Sequence, residues 1–148
     1  MIIAGDRSIL KLLGSSLREI LIRDDIDSDK TQWPSFGKEV YEKMTTDPTP
    51  EKVYAMLIAF HASAKSMQYN INESRNVIDE SAKYIMPKLQ DLAQNMLGDL
   101  NPVNFLILNM IMKIYYRMVR IDLPSYFRDA DVNKAWMGIH LTLLESSL

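Results

Sequence analysis

Two stretches of this chain open a helix in the same way, and that duplication constrains the fold more than any other feature of the sequence. Asp47-Pro48-Thr49-Pro50 and Asp99-Leu100-Asn101-Pro102 each place an acid two residues ahead of a capping residue that is followed directly by proline. Thr or Asn before the first turn accepts a hydrogen bond from an otherwise unpaired backbone N–H. Proline at the first helical position costs nothing, because its missing N–H has no helical partner there. Both signals lead into strongly apolar segments, and their second prolines lie 52 residues apart.

The other segments also read as helices. After Asp6, a good cap, Ile9, Leu10, Leu13, Leu17, Ile20 and Leu21 recur at helical spacing up to about Arg23. A charged loop, "DDIDSDKTQ", follows. Pro34 opens a segment with Phe36, Val40, Tyr41 and Met44 in helical period. From Pro50, the residues Val53, Met56, Leu57, Phe60, Ala64 and Met67 trace one face, and "YNINES" then punctuates the chain. Residues 73–97 carry Val77, Ile78, Ala82, Ile85, Leu89, Leu92 and Met96 on one face, with Pro87 placed to kink the helix. The segment 102–120 is apolar almost all round, leaving a narrow stripe of Asn109, Lys113 and Arg117, and is expected to be enclosed on most sides. "DLPSYFRDAD" turns the chain, and Val132, Trp136, Ile139, Leu143 and Leu144 mark a last helix. No segment alternates with the period of a strand, so the expected class is all-α.

Element order suggests pairs. Trp33-Pro34-Ser35-Phe36 and Leu123-Pro124-Ser125-Tyr126 repeat the pattern apolar–Pro–Ser–aromatic at 90 residues, two periods of about 45. Helix pairs recurring every ~40–47 residues are the mark of HEAT and armadillo arrays. The expectation is a HEAT-repeat solenoid of about three helix pairs, six or seven helices in all. Its repeats fall near 1–23 (one helix), 33–70, 73–121 and 123–148, with the first and last incomplete. The whole is expected to be a single segment, 1–148, of a longer solenoid. An irregular helical bundle remains the alternative.

Composition narrows the function. The chain holds no cysteine, which excludes disulfides and cysteine-based zinc sites. A net charge of −2 lacks the basic footprint of a nucleic-acid binder. The opening "MIIAGDRSILK" lacks the basic start and cleavage site of a secretory signal. Val103–Val119 is interrupted by Asn104, Asn109, Lys113 and Arg117, so no membrane span is expected.

No catalytic constellation assembles, and the chain is not expected to be an enzyme or to need a cofactor or metal. His61 and His140 lie on different helices and read as packed structural residues. Acid-rich "DDIDSD" lacks the glycine and closing glutamate of an EF-hand loop. Tyr115 and Tyr116 read as core. What remains is a basic ridge of Asn109, Lys113, Arg117 and Arg120 along one helix, with Lys65 joining from another. In a superhelical array it would line the concave surface and contact an acidic partner. Its plain alternative is the solvated stripe of a surface helix.

Several stretches resemble the importin-β (karyopherin) superfamily, most closely the branch holding importins seven and eight and the cellular apoptosis susceptibility exportin. "QWPSFGKEVYEKM" is similar to the family's Trp-Pro helix start, and it follows a helix like "LGSSLREILIRD". "YIMPKLQDLAQNML" resembles a Pro-kinked outer helix. "ILNMIMKIYYRMVRIDLPSYFRD" resembles an inner helix running into a Leu/Phe-Pro-x-x-Phe turn, and "VNKAWMGIHLTLL" the outer helix that follows. The insertion "DDIDSDKT" and Asn104, where many repeats have a basic residue, depart from the pattern. The resemblance implies a nuclear transport receptor segment from the N-terminal third, shuttling between cytoplasm and nucleus. Its implied partners are Ran-GTP, cargo and phenylalanine-glycine nucleoporins, without nucleic acid or membrane. The segment itself is expected to be monomeric, with artificial self-association possible through exposed ends. A HEAT scaffold outside transport and a compact Bcl-2-like bundle are the rival readings.

Overall fold

A computed structural model of the protein describes residues 34–67, 71–120 and 123–147, together with Leu12. The expected first helix, the charged loop after it and Trp33 lie outside these residues. The described chain is all-α and HEAT-like. It runs α1 (Pro34–Thr45), α2 (Pro50–Met67), α3 (Ile71–Met96), α4 (Pro102–Val119), a 3-10 turn (Ser125–Arg128) and α5 (Ala130–Ser146).

Both duplicated helix starts work as caps. The Asn101 side-chain oxygen accepts from the N–H groups of Val103 at 3.1 Å and Asn104 at 2.9 Å. Thr49 Oγ1 accepts from the Lys52 N–H at 3.3 Å. The acids serve differently. Asp47 sits at φ 52°, a left-handed conformation that Asp tolerates better than most residues. From there its carboxylate reaches Lys52 Nζ at 2.9 Å. Asp99 instead accepts from Asn101 Nδ2 at 3.1 Å, and its carbonyl accepts from Asn104 Nδ2 at 2.8 Å. The Asn104 amide thus ties the first turn of α4 back to the loop.

The helices stack in two layers. α2 packs most extensively on α4, and α1 on α3, while α5 packs on α3 and on the 3-10 turn. Helices alternate between layers along the chain, so α1 and α2 each find their main partner two helices on. Among the described residues α5 makes no comparable contact with α1 or α2, so the helices stack in series. A continuous core joins them through Val40, Met44, Leu57, Phe60, Ile85, Leu89, Ile111, Ile114 and Trp136.

Two expectations are corrected. The helix enclosed on most sides is α2, not α4. From Val53 to Lys65 every α2 side chain with a described environment is buried or half-buried, whereas α4 exposes Phe105, Asn109, Lys113 and Tyr116. Ala55, Ala59, Ala62 and Ala64 supply the reason, since short side chains let neighbours close over a helix. "YNINES" does not break the chain throughout, because α3 already begins at Ile71. As expected, Pro87 lies inside one continuous α3, where Ile85, Met86 and Leu89, all buried, hold the turn that proline deprives of a hydrogen bond.

The 90-residue echo is not structural either. Pro34 is the first residue of α1, whereas Pro124 leads into the 3-10 turn and α5 starts only after Asp129. That turn carries Phe127 fully into the core, among Tyr115, Tyr126 and Trp136. Tyr115 stacks on Trp136 at 4.9 Å between ring centroids, which joins α4 to α5. Tyr126 Oη donates to Gln90 Oε1 at 2.9 Å and fastens the turn to α3. Asp79 of α3 fixes its other side by accepting from the Ser125 N–H at 2.6 Å and the Ser125 hydroxyl at 3.0 Å. Asp129 then recaps the chain, accepting from the N–H groups of Asp131 and Val132.

Burial alone would raise the Asp79 carboxyl, but the Ser125 hydrogen bonds and Lys83, 3.2 Å away, outweigh it and lower its pKa. A depressed carboxylate stabilises the fold above its unfolded pKa and loses that stabilisation as pH falls through the lower folded value. Asp79→Ala should therefore cost about 1–2 kcal/mol at pH 7 by urea denaturation. The deficit should shrink once the pH drops below the folded-state pKa of Asp79. Phe127→Ala should cost about 3–5 kcal/mol, whereas Leu144→Ala, on the exposed side of α5, should fall within about 0.5 kcal/mol of the parent.

Candidate protein-binding groove

The open side of α4 and the adjacent edge of α2 form a shallow groove of about 430 Å³, lined by His61, Met112, Lys113, Tyr116 and Arg117. Helical geometry explains the set. Phe105, Asn109, Met112, Lys113, Tyr116 and Arg120 share one face of α4, and Arg117 lies at its edge toward α2. Their opposite face, with Ile107, Leu108, Ile111, Ile114 and Met118, is buried in the core.

The charge here has one sign. Neither α4 nor the stretch 52–67 of α2 contains an aspartate or glutamate. Lys65, Lys113 and Arg117 all act on His61. Burial first, and then these three cations, hold the imidazole down to about 4, so His61 is neutral at physiological pH. The remaining cation of the ridge, Arg120, lies over the Tyr116 ring at 5.8 Å from its centroid.

Of the five residues expected to form a ridge, Lys113 and Arg117 line the groove with His61, and Lys65, one turn beyond His61 on α2, acts on the same imidazole. Arg120 lies one turn further along α4 and Asn109 one turn before. Asn109, Lys113 and Arg120 are exposed, and Lys65 and Arg117 half-buried. Sequence reading missed three members, His61, Met112 and Tyr116. His61 faces the groove, and Tyr116, expected in the core, is 55% exposed. Its position on the same face as Lys113 and Arg120 was the available signal. Its neighbour Tyr115 does pack inward, against Phe127, Trp136 and His140. His140 is half-buried, and its Nδ1–H donates to the Trp136 carbonyl at 2.7 Å, a packing role.

Among the described residues no three acidic or histidine side chains gather as metal ligands, and no helix is long and apolar enough to cross a membrane. The groove's chemistry is non-covalent: cations and an aromatic rim beside an uncharged imidazole.

No protein-family model matches the chain, and no solved structure does. Two curated proteins are distantly similar. Importin-8 of Mus musculus is 21% identical over 129 residues, covering 87% of this chain and 12% of its own length. An importin beta-like SAD2 homolog of Arabidopsis thaliana is 24% identical over 135 residues, 90% of this chain and again 12% of its own. The chain thus spans about an eighth of each relative.

Because burial is the larger cause of the lowered His61 pKa, Lys113→Gln with Arg117→Gln should raise its midpoint only part of the way from about 4 toward 6.5. Imidazole C–H shifts followed by NMR from pH 3.5 to 8 check this. A midpoint near 6.5 in the parent would show that His61 is solvated.

Proposed function

We propose that this chain is part of an importin- or exportin-type nuclear transport receptor, of the branch that includes importins seven and eight. It would bind Ran-GTP, cargo and nucleoporins while shuttling between cytoplasm and nucleus. The observation that carries the reading is distant similarity extending over 87–90% of the chain to two importin-type proteins. The layered stacking of the helices supports it. A receptor of this kind acts by binding and by curvature, with one partner altering affinity for another, and needs no catalytic group.

We further propose that the segment belongs to a longer solenoid whose next helix pair covers α5. Met137, Leu141 and Leu144 form a second apolar face on that helix, 57–62% exposed and turned away from Trp136 and Ile139. A helix apolar on two faces suits the interior of a stacked array. In the same reading α4 lines the concave side, and Lys65, Asn109, Lys113, Arg117 and Arg120 contact an acidic partner.

Capture of Ran by the immobilised chain, with the GTPase loaded with GTP or with GDP, tests the proposal. GTP-selective capture is expected, and Lys113→Glu with Arg117→Glu should weaken it at least tenfold. Unchanged affinity in that folded double variant would remove the ridge from the interface. Absence of capture in either nucleotide state, from a folded chain, would favour a HEAT scaffold outside transport.

A further inference from the structure

We propose that the groove between α2 and α4 binds an acidic protein segment by taking one of its apolar side chains between Tyr116, Met112 and His61, while Lys65, Lys113 and Arg117 hold the flanking carboxylates. This rests on the reading of the ridge as a protein-binding surface and specifies what that surface recognises.

Three observations carry it. The groove combines apolar and cationic groups within one enclosure, where a solvated stripe would present charge alone. Its volume of about 430 Å³, open on one side, leaves room for a side chain laid against Tyr116 and Met112. Tyr116 stands 55% exposed at the rim, a cost in water that contact with an apolar group would recover.

Charge complementarity selects the partner. Lys65, Lys113 and Arg117 all act on His61, and neither α4 nor residues 52–67 of α2 contain a carboxylate to set against the two lysines. His61 itself stays uncharged at neutral pH, so the imidazole can meet an apolar group without a buried charge to desolvate. A protein ligand is favoured over nucleic acid by the overall charge of −2, which would repel a polyphosphate beyond the groove.

Fluorescence polarisation with three labelled probes tests this against the 148-residue chain. Two are twelve-residue peptides of alternating glutamate and aspartate, one with a central leucine and one with alanine there. The third is a polyuridine of fifteen nucleotides. The leucine peptide should bind about five- to thirtyfold more tightly than the alanine peptide. Tyr116→Ala, at an exposed position that leaves the fold intact, should erase that difference. Lys113→Glu with Arg117→Glu should weaken both peptides at least tenfold. Equal binding of the two peptides, indifferent to Tyr116→Ala, would overturn the apolar anchor while leaving the basic ridge as an acidic-protein contact. Failure of both peptides to bind a folded chain would overturn both readings. Tighter binding of polyuridine than of either peptide would reassign the groove to nucleic acid.

Discussion

The packing of α2 against α4 is the contact on which the rest of this structure depends. α2 can be enclosed because its alanines at 55, 59, 62 and 64 leave room for neighbours on several sides. Once Leu57 and Phe60 are buried in the same core as Ile107, Ile111 and Ile114, the register of α4 is set. Its remaining face must then look outward beside His61. The groove is a consequence of where the core is. Among the described residues it is lined from helices alone, and side chains mounted on two packed helices are more firmly placed than side chains on a loop.

The second layer is held by different chemistry. The 3-10 turn carries one aromatic residue, Phe127, to full burial and is fastened to α3 through its first two residues, by Asp79 to Ser125 and by Gln90 to Tyr126. This short element is what orients α5. Without it, the Trp136 ring would have no fixed partner across from Tyr115. The polar clamp and the aromatic stack act on the same few residues, so their contributions should be coupled rather than additive.

The residues of the groove also explain how a chain of net charge −2 can present a basic surface. Acids are kept off α4 and off residues 52–67, and appear instead on α3 and α5, as at Asp79, Glu80, Asp91 and Asp131. Segregation of this kind is invisible to the net charge and legible only once the helices are assigned to layers. Its electrostatic effect is seen at His61, on which three cations act.

Helical class, the caps at Thr49 and Asn101, and the apolar faces of α1 to α5 were legible in the sequence, because period and cap chemistry are local properties of the chain. The basic ridge was legible too, as an i, i+4, i+8 stripe. Tertiary structure alone decided which helix is enclosed, because enclosure depends on how closely neighbours approach and not on apolar content. Tyr115 and Tyr116, which helical geometry turns about 100° apart, were separable in the sequence by the face that Tyr116 shares with Lys113 and Arg120. Leu144 counted with the core of the last helix by spacing, yet it lies on the exposed side. The 3-10 turn and the meeting of His61 with Lys113 and Arg117 join residues 46 to 56 positions apart, a distance over which no sequence period operates.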